Sequence, residues 1–135
     1  MTSNLNSIRS IIESRLAAEL ASSPAIEVVF ANMPFKPAIN TDFVQCLINF
    51  GQTEYFSSTN NLINGNIIFN IFTQQGIGSG ANLTISKRIR DLFNKQIVNN
   101  VIFDPPNGPT FLQGETLEGY FQSILSVDFE IYEDI

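Results

Sequence analysis

Apolar residues recur every three or four positions between Asn4 and Ala21. Leu5, Ile8, Ile12, Leu16 and Leu20 form one stripe flanked by Ile11 and Ala17, with Glu13 and Arg15 off it. That period predicts an amphipathic helix. Ser3 or Asn4 is the expected N-cap, and Ser22-Ser23-Pro24 ends the helix because proline disfavours helical geometry in the residue before it. The period then drops to two. Ile26 to Ala31 (IEVVFA) predicts a first strand and Asp42 to Phe50 (DFVQCLINF) a second, whose Val44, Cys46, Ile48 and Phe50 face the core. Between them Pro34 and Pro37 exclude a central strand position, so Asn32 to Asn40 reads as a connector or as a contact arm presenting Phe35 and Lys36.

The middle of the chain organises the rest. Gly51 to Asn60 reads as a polar turn region holding Tyr55 and Phe56, and Asn64-Gly65 as a turn or bulge signal or as the turn of a short hairpin. Asn66 to Thr73 predicts a strand apolar on both faces, with Ile67, Phe69 and Ile71 on one and Ile68 and Phe72 on the other. This is the pattern of a central strand covered on both sides or nearly so. A loop with Gly76, Gly78 and Gly80 leads into a helix whose Leu83, Ile85, Ile89, Leu92 and Phe93 share a stripe, with Lys87, Arg88, Arg90 and Asp91 largely off it.

Downstream, Ile97 to Phe103 reads as a short strand broken at Asn99-Asn100. Asp104 to Gly114 reads as a proline-rich surface loop with Phe111 or Leu112 tucked back. Leu117 to Tyr132 predicts a long closing strand. Phe121, Ser123, Leu125, Val127, Phe129 and Ile131 form its core face, and the opposite face is mostly polar, an antiparallel signature. The acidic tail is expected to fray. The order of elements predicts an α+β fold: a mainly antiparallel or mixed sheet with two helices packed on it, in a single domain over residues 1–135.

Composition narrows the chemistry. The 135 residues suffice for one core, and 44% apolar content with 12 Phe supports packing over disorder. No apolar run reaches the roughly 20 residues that span a bilayer. The polar start MTSNLNS predicts no signal peptide and a cytoplasmic site of synthesis. Cys46 is the only cysteine and histidine is absent, which excludes an intramolecular disulfide, the usual Cys/His zinc site and the Ser-His-Asp and Cys-His mechanisms. Cys46 is read as a buried, inert thiol. A net charge of −6 with only seven basic residues argues against a general nucleic-acid surface.

Three motifs carry possible chemistry. Gln75 to Ala81 (QGIGSGA) places alternating glycines before a helix, where backbone amides attract phosphate. The spacing is not the G-x-G-x-x-G of dinucleotide sites, and no Lys-Ser/Thr follows as in a P-loop. The plainer reading is a positive-φ crossover with Ser79 or Asn82 capping the helix. Lys87, Arg88 and Arg90 read as a solvated face or as a contact to an acidic neighbouring subunit bearing Asp128 and Glu130. The carboxylate pairs Glu115/Glu118 and Asp128/Glu130 read as solvated, since no third catalytic group accompanies them. No catalytic, metal or cofactor site is assigned.

The order IRSIIESRLAAEL, NMPFKP, FVQCLINF, GNIIFNIFTQQGIGSGANLTISKRIRDLFNKQ and YFQSILSVDFEIY resembles the small tail terminator (tail completion) proteins of long-tailed bacteriophages over nearly the whole chain. The shared features are the strand, Gly-x-Gly turn and helix ending in Leu92-Phe93, then a late loop and long final strand. The Trp often found in the family after the first strand is missing. The resemblance implies a non-enzymatic virion part at the head-proximal end of the tail. It would be a ring, expected to be a homohexamer, that caps the tail tube and ends its polymerisation. Its implied partners are copies of itself, the tail tube protein, a head-tail connector or neck protein and, in a contractile tail, the sheath. No membrane and no specific nucleic acid are implied, although DNA passes through the lumen. The expected contact residues are Phe35, Lys36, Tyr55, Phe56, Lys87, Arg88, Arg90, Phe111, Asp128 and Glu130. The alternatives are another neck or tail-tube protein, or a small-ligand or nucleotide-binding domain using Gly76 to Gly80.

Overall fold

The structure is a computed structural model that describes residues 5–22, 24–31, 41–76, 78–112 and 119–134, with side chains to residue 132. The elements are α1 (Leu5–Ala21), β1 (Glu27–Phe30), β2 (Phe43–Tyr55), β3 (Asn60–Gln74), α2 (Gly80–Phe93), β4 (Ile97–Val98), β5 (Val101–Phe103), β6 (Asn107–Phe111) and β7 (Tyr120–Asp134). The strands form one sheet in the order β1-β2-β3-β7-β5-β4, with β6 also paired to β7. Among the described strands only β1 and β2 run parallel, so the sheet is mixed and the fold α+β.

The periodicities explain the core. Ile8, Ile12, Leu16 and Leu20 of α1 are 0–1% exposed, and Ile85, Ile89 and Phe93 of α2 join them in one cluster. The sheet contributes Val44 and Cys46 from β2, Ile67, Phe69 and Ile71 from β3, and Leu125, Val127, Phe129 and Ile131 from β7. Register puts these side chains in rows: Val44 faces Ile71, Cys46 faces Phe69, and Phe69 faces Leu125.

β3 is central, as its apolar pattern predicts, but its second face is not covered by a helix among the described residues. There Phe72 lies against the rings of Phe43 (centroids 4.6 Å apart) and Tyr120 (6.2 Å). The next row is an amide ladder, in which Asn70 donates to Gln45 (3.1 Å) and accepts from Gln122 (3.1 Å). Aromatic stacking and side-chain hydrogen bonds satisfy a face on which a second layer was expected.

Gly51 to Asn60 is not a long turn. β2 continues to Tyr55, and only Phe56 to Thr59 turn the chain. Asn64-Gly65 lies within β3, and the irregularity it signalled falls on the opposite strand, between Phe50 and Thr53. The cause is β7, which pairs with β3 from Gln74↔Tyr120 through to Asn60↔Asp134. Backbone groups are satisfied by the ladder whatever side chains they carry, so a polar sequence can continue as strand where a neighbour supplies partners. Asp104 to Gly114 is likewise not a free loop, because β6 lies within it and pairs with Ser123 to Ser126. Asn99-Asn100 is the two-residue turn of the β4–β5 hairpin, with Asn99 at φ 47°.

Two details of α2 differ from its predicted stripe. Leu83 is 44% exposed, while Asn82 and Ser86 are buried in its place. Ser79 takes the N-cap position of α2, as one of the two expected residues, but makes no side-chain cap hydrogen bond, and the Asn82 amide turns into the core.

Candidate functional site

The glycine loop comes first because it was the one phosphate candidate. Gly76 and Gly78 adopt φ of 89° and 84°, a region L side chains rarely occupy, whereas Gly80 simply begins α2. The basic residues on the following helix are engaged elsewhere. Arg88 donates to the main-chain oxygens of Glu19 (2.6 Å), Pro24 (2.7 Å) and Ser22 (3.3 Å) and to the Glu19 carboxylate (3.3 Å). It therefore closes the C-terminal turn of α1, where carbonyls lack helical partners. Arg90 donates to the carbonyls of Gly108 (2.5 Å) and Pro106 (3.2 Å), tying α2 to β6. Lys87 pairs with Asp91 at 2.7 Å on the exposed side. The three cations thus diverge into two structural clamps and one surface pair. Among the described residues, no acidic or thiol cluster is arranged to hold a metal.

The second feature is an arm. Beyond Ile48, the β2 residues Asn49 to Tyr55 are all exposed. They pair with the first part of β3, which pairs in turn with the end of β7. Tyr55 is 81% and Phe56 58% exposed, and Phe56 rests on Tyr132 with centroids 4.8 Å apart. Full burial of a side chain of this size is favourable by about 1.5–3 kcal/mol, so the tip holds binding free energy unused in the isolated chain. Asp128 and Glu130 sit on the same arm, on the face away from the helices, opposite Asn66 and Asn64. Phe111 belongs elsewhere: it stacks on Phe121 at 5.1 Å. The span from Phe121 to Tyr132 is roughly 35 Å of extended strand. Phe35 and Lys36 lie outside the described residues.

Third, a groove of about 800 Å³ runs between α1 and α2, lined among others by Arg15, Leu83, Lys87, Arg88 and Leu92. Arg15 spans it, donating to the Leu92 carbonyl at 3.1 and 3.3 Å.

Charge is divided between these parts. Positions 49–66 and 128–134 carry Glu54, Asp128, Glu130, Glu133 and Asp134 and no basic residue. Arg9, Arg15, Lys87, Arg88, Arg90 and Lys95 all lie on the two helices or in the turn that ends α2, leaving only Lys36 of the basic residues elsewhere. Sequence reading named both the basic helix and the acidic strand. It missed Glu54 and the groove, because the arm was read as a turn and Leu83 as core. The signal available was the lack of any Lys or Arg between residues 37 and 86.

Cys46, facing the helices, is buried, and its thiol is pushed up to about 12 by burial, with the negative charge of Glu13 adding to the effect. It is an inert core side chain.

No protein family and no curated protein matches this chain in sequence. Several solved structures superpose on this chain, one of them with a TM-score of 0.74 over 95% of each chain at 17% identity. That likeness is one of fold.

Proposed function

We propose that this protein is a tail terminator: a virion subunit that closes head-to-tail into a ring on the end of a phage tail tube, stops its growth and presents a joint to the head connector. The single observation that carries the reading is the division of the surface into an acidic, aromatic-tipped arm and a basic helical layer. A ring with rotational symmetry needs two different, complementary patches on each subunit, and these are such a pair. The proposed architecture, with both helices packed on one face of the sheet, leaves the arm's tip residues Tyr55 and Phe56 outside the subunit's own core. The segment order quoted above supplies the choice of tail terminator among ring proteins. A neck or tail-tube subunit is the second reading, since the same two patches would serve it. Nucleotide binding at Gly76 to Gly80 is less well supported, because Arg88 and Arg90 are committed to main-chain carbonyls.

Native mass measurement of the purified chain, alone and with tail tube protein, tests this. The expected species is about six times the 15.0 kDa subunit, or a monomer that assembles on tube ends and arrests elongation. A stable monomer that leaves tube length unchanged refutes it.

A further inference from the structure

We infer that the arm tip of one copy docks in the α1–α2 groove of the next, so that the groove's occupant is a second copy of this chain. This rests on the ring reading and names the surfaces that make it. Three observations meet here. The tip is an exposed aromatic pair, Tyr55 and Phe56, beside the exposed Glu54. The groove offers Leu83, 44% exposed although apolar, next to Lys87, whose side chain is 76% exposed. The charges are complementary: the arm carries only carboxylates, while the groove is lined by Arg15, Lys87 and Arg88 against Glu19 and Asp91. Glu19 and Asp91 are already paired, with Arg88 and Lys87 respectively, and Arg15 has no carboxylate partner among the described residues. Net positive charge therefore remains for an incoming acidic tip.

Within one chain the two surfaces do not meet. The groove lies on the helical layer, whereas the arm extends past the last core residues of β2. A protruding tip and a concave receptor on different parts of the same subunit make a heterologous contact, which propagates around a ring. A two-fold pair could also seat each tip in the other copy's groove, so a parent that runs as a closed dimer would overturn the ring arrangement.

Mixing two variants tests the assignment. Phe56→Ser disables the tip by removing its ring without adding a carboxylate that the groove would attract, and Leu83→Asp disables the groove; both positions are exposed, and far-UV circular dichroism melts check that each variant folds like the parent. Each alone should run as a monomer where the parent runs as a ring. Mixed, they should give a 1:1 dimer and nothing larger, because the pair retains one intact tip and one intact groove. Raising the salt should weaken the parent assembly. A parent ring with both variants still forming rings overturns this interface and leaves the ring reading standing. A parent that stays monomeric at all concentrations, with and without tube protein, overturns both. Monomeric variants that fail to pair on mixing also overturn the tip-in-groove contact.

Discussion

Replacing Asn82 with alanine should cost this protein a large share of its stability, although Asn82 touches neither proposed interface. The residue is fully buried on α2. Its Nδ2 donates to the Ile71 carbonyl at 3.1 Å and to Thr73 Oγ1 at 3.5 Å, both on β3, and its Oδ1 accepts from Ser123 Oγ on β7. Thr73 and Ser123 are themselves 0% exposed. One amide therefore joins the helix to the two central strands. Alanine removes all three bonds, and each buried group left unsatisfied costs about 1–3 kcal/mol. Hydroxyls can rotate to other acceptors and water can enter a polar cavity, so the net loss should be about 2–4 kcal/mol. Urea unfolding followed by far-UV circular dichroism suits a chain with no Trp. With a slope of about 2 kcal/mol/M, the midpoint should fall by about 1–2 M at unchanged slope. Ser123→Ala should cost less, and the double variant should cost at least about 1 kcal/mol less than the sum of the two. An Asn82→Ala midpoint within about 0.3 M of the parent, or strict additivity with Ser123→Ala, would refute the joint.

Other consequences follow from the same geometry. Arg88→Ala should destabilise by about 1.5–3 kcal/mol by leaving the α1 C-terminal carbonyls uncapped, and Arg88→Lys should recover little because an ammonium cannot reproduce the fork; thermal melts of both variants decide this. Gly65→Ala should cost about 1–3 kcal/mol, since its Cβ would stand 2.6 Å from the Asn49 carbonyl oxygen and 2.5 Å from the Phe129 ring. Gly80→Ala, with open space and ordinary helical geometry, should be neutral or stabilising by up to about 1 kcal/mol; equal losses at both glycines would contradict this. Cys46 should resist a thiol reagent at pH 8 in the folded chain and react fully in denaturant. Its folded pKa is raised from 9.0 to about 12, so the unfolded thiol ionises first. The contribution of Cys46 is full below pH 9 and is lost as pH rises toward 12, and Cys46→Ala should remove that component of the alkaline slope.

Sequence alone determined the elements whose side chains carry their own period. The α1 stripe from Ile8 to Leu20 and the alternation of β7 from Ser123 to Ile131 emerged as read, because a helix or strand half-buried against a core repeats its burial at its own geometric interval. The inert Cys46 and the positive φ of Gly76 and Gly78 were legible for similarly local reasons. The remainder depended on partners distant in the chain. The stretch from Gly51 to Tyr55 is mostly polar and reads as a turn, yet it is strand because β3 and β7 carry the ladder out to Asn60 and Asp134. β6 exists because the edge of β7 accepts it. Asn82 is buried and Leu83 exposed because Thr73 and Ser123 place hydrogen-bonding groups where α2 crosses the sheet, which no helical period records. Charge counts were in the sequence from the start. Their division between an arm and a helical layer was decided only when the sheet laid positions 49–66 beside 128–134 and left the basic residues on the helices.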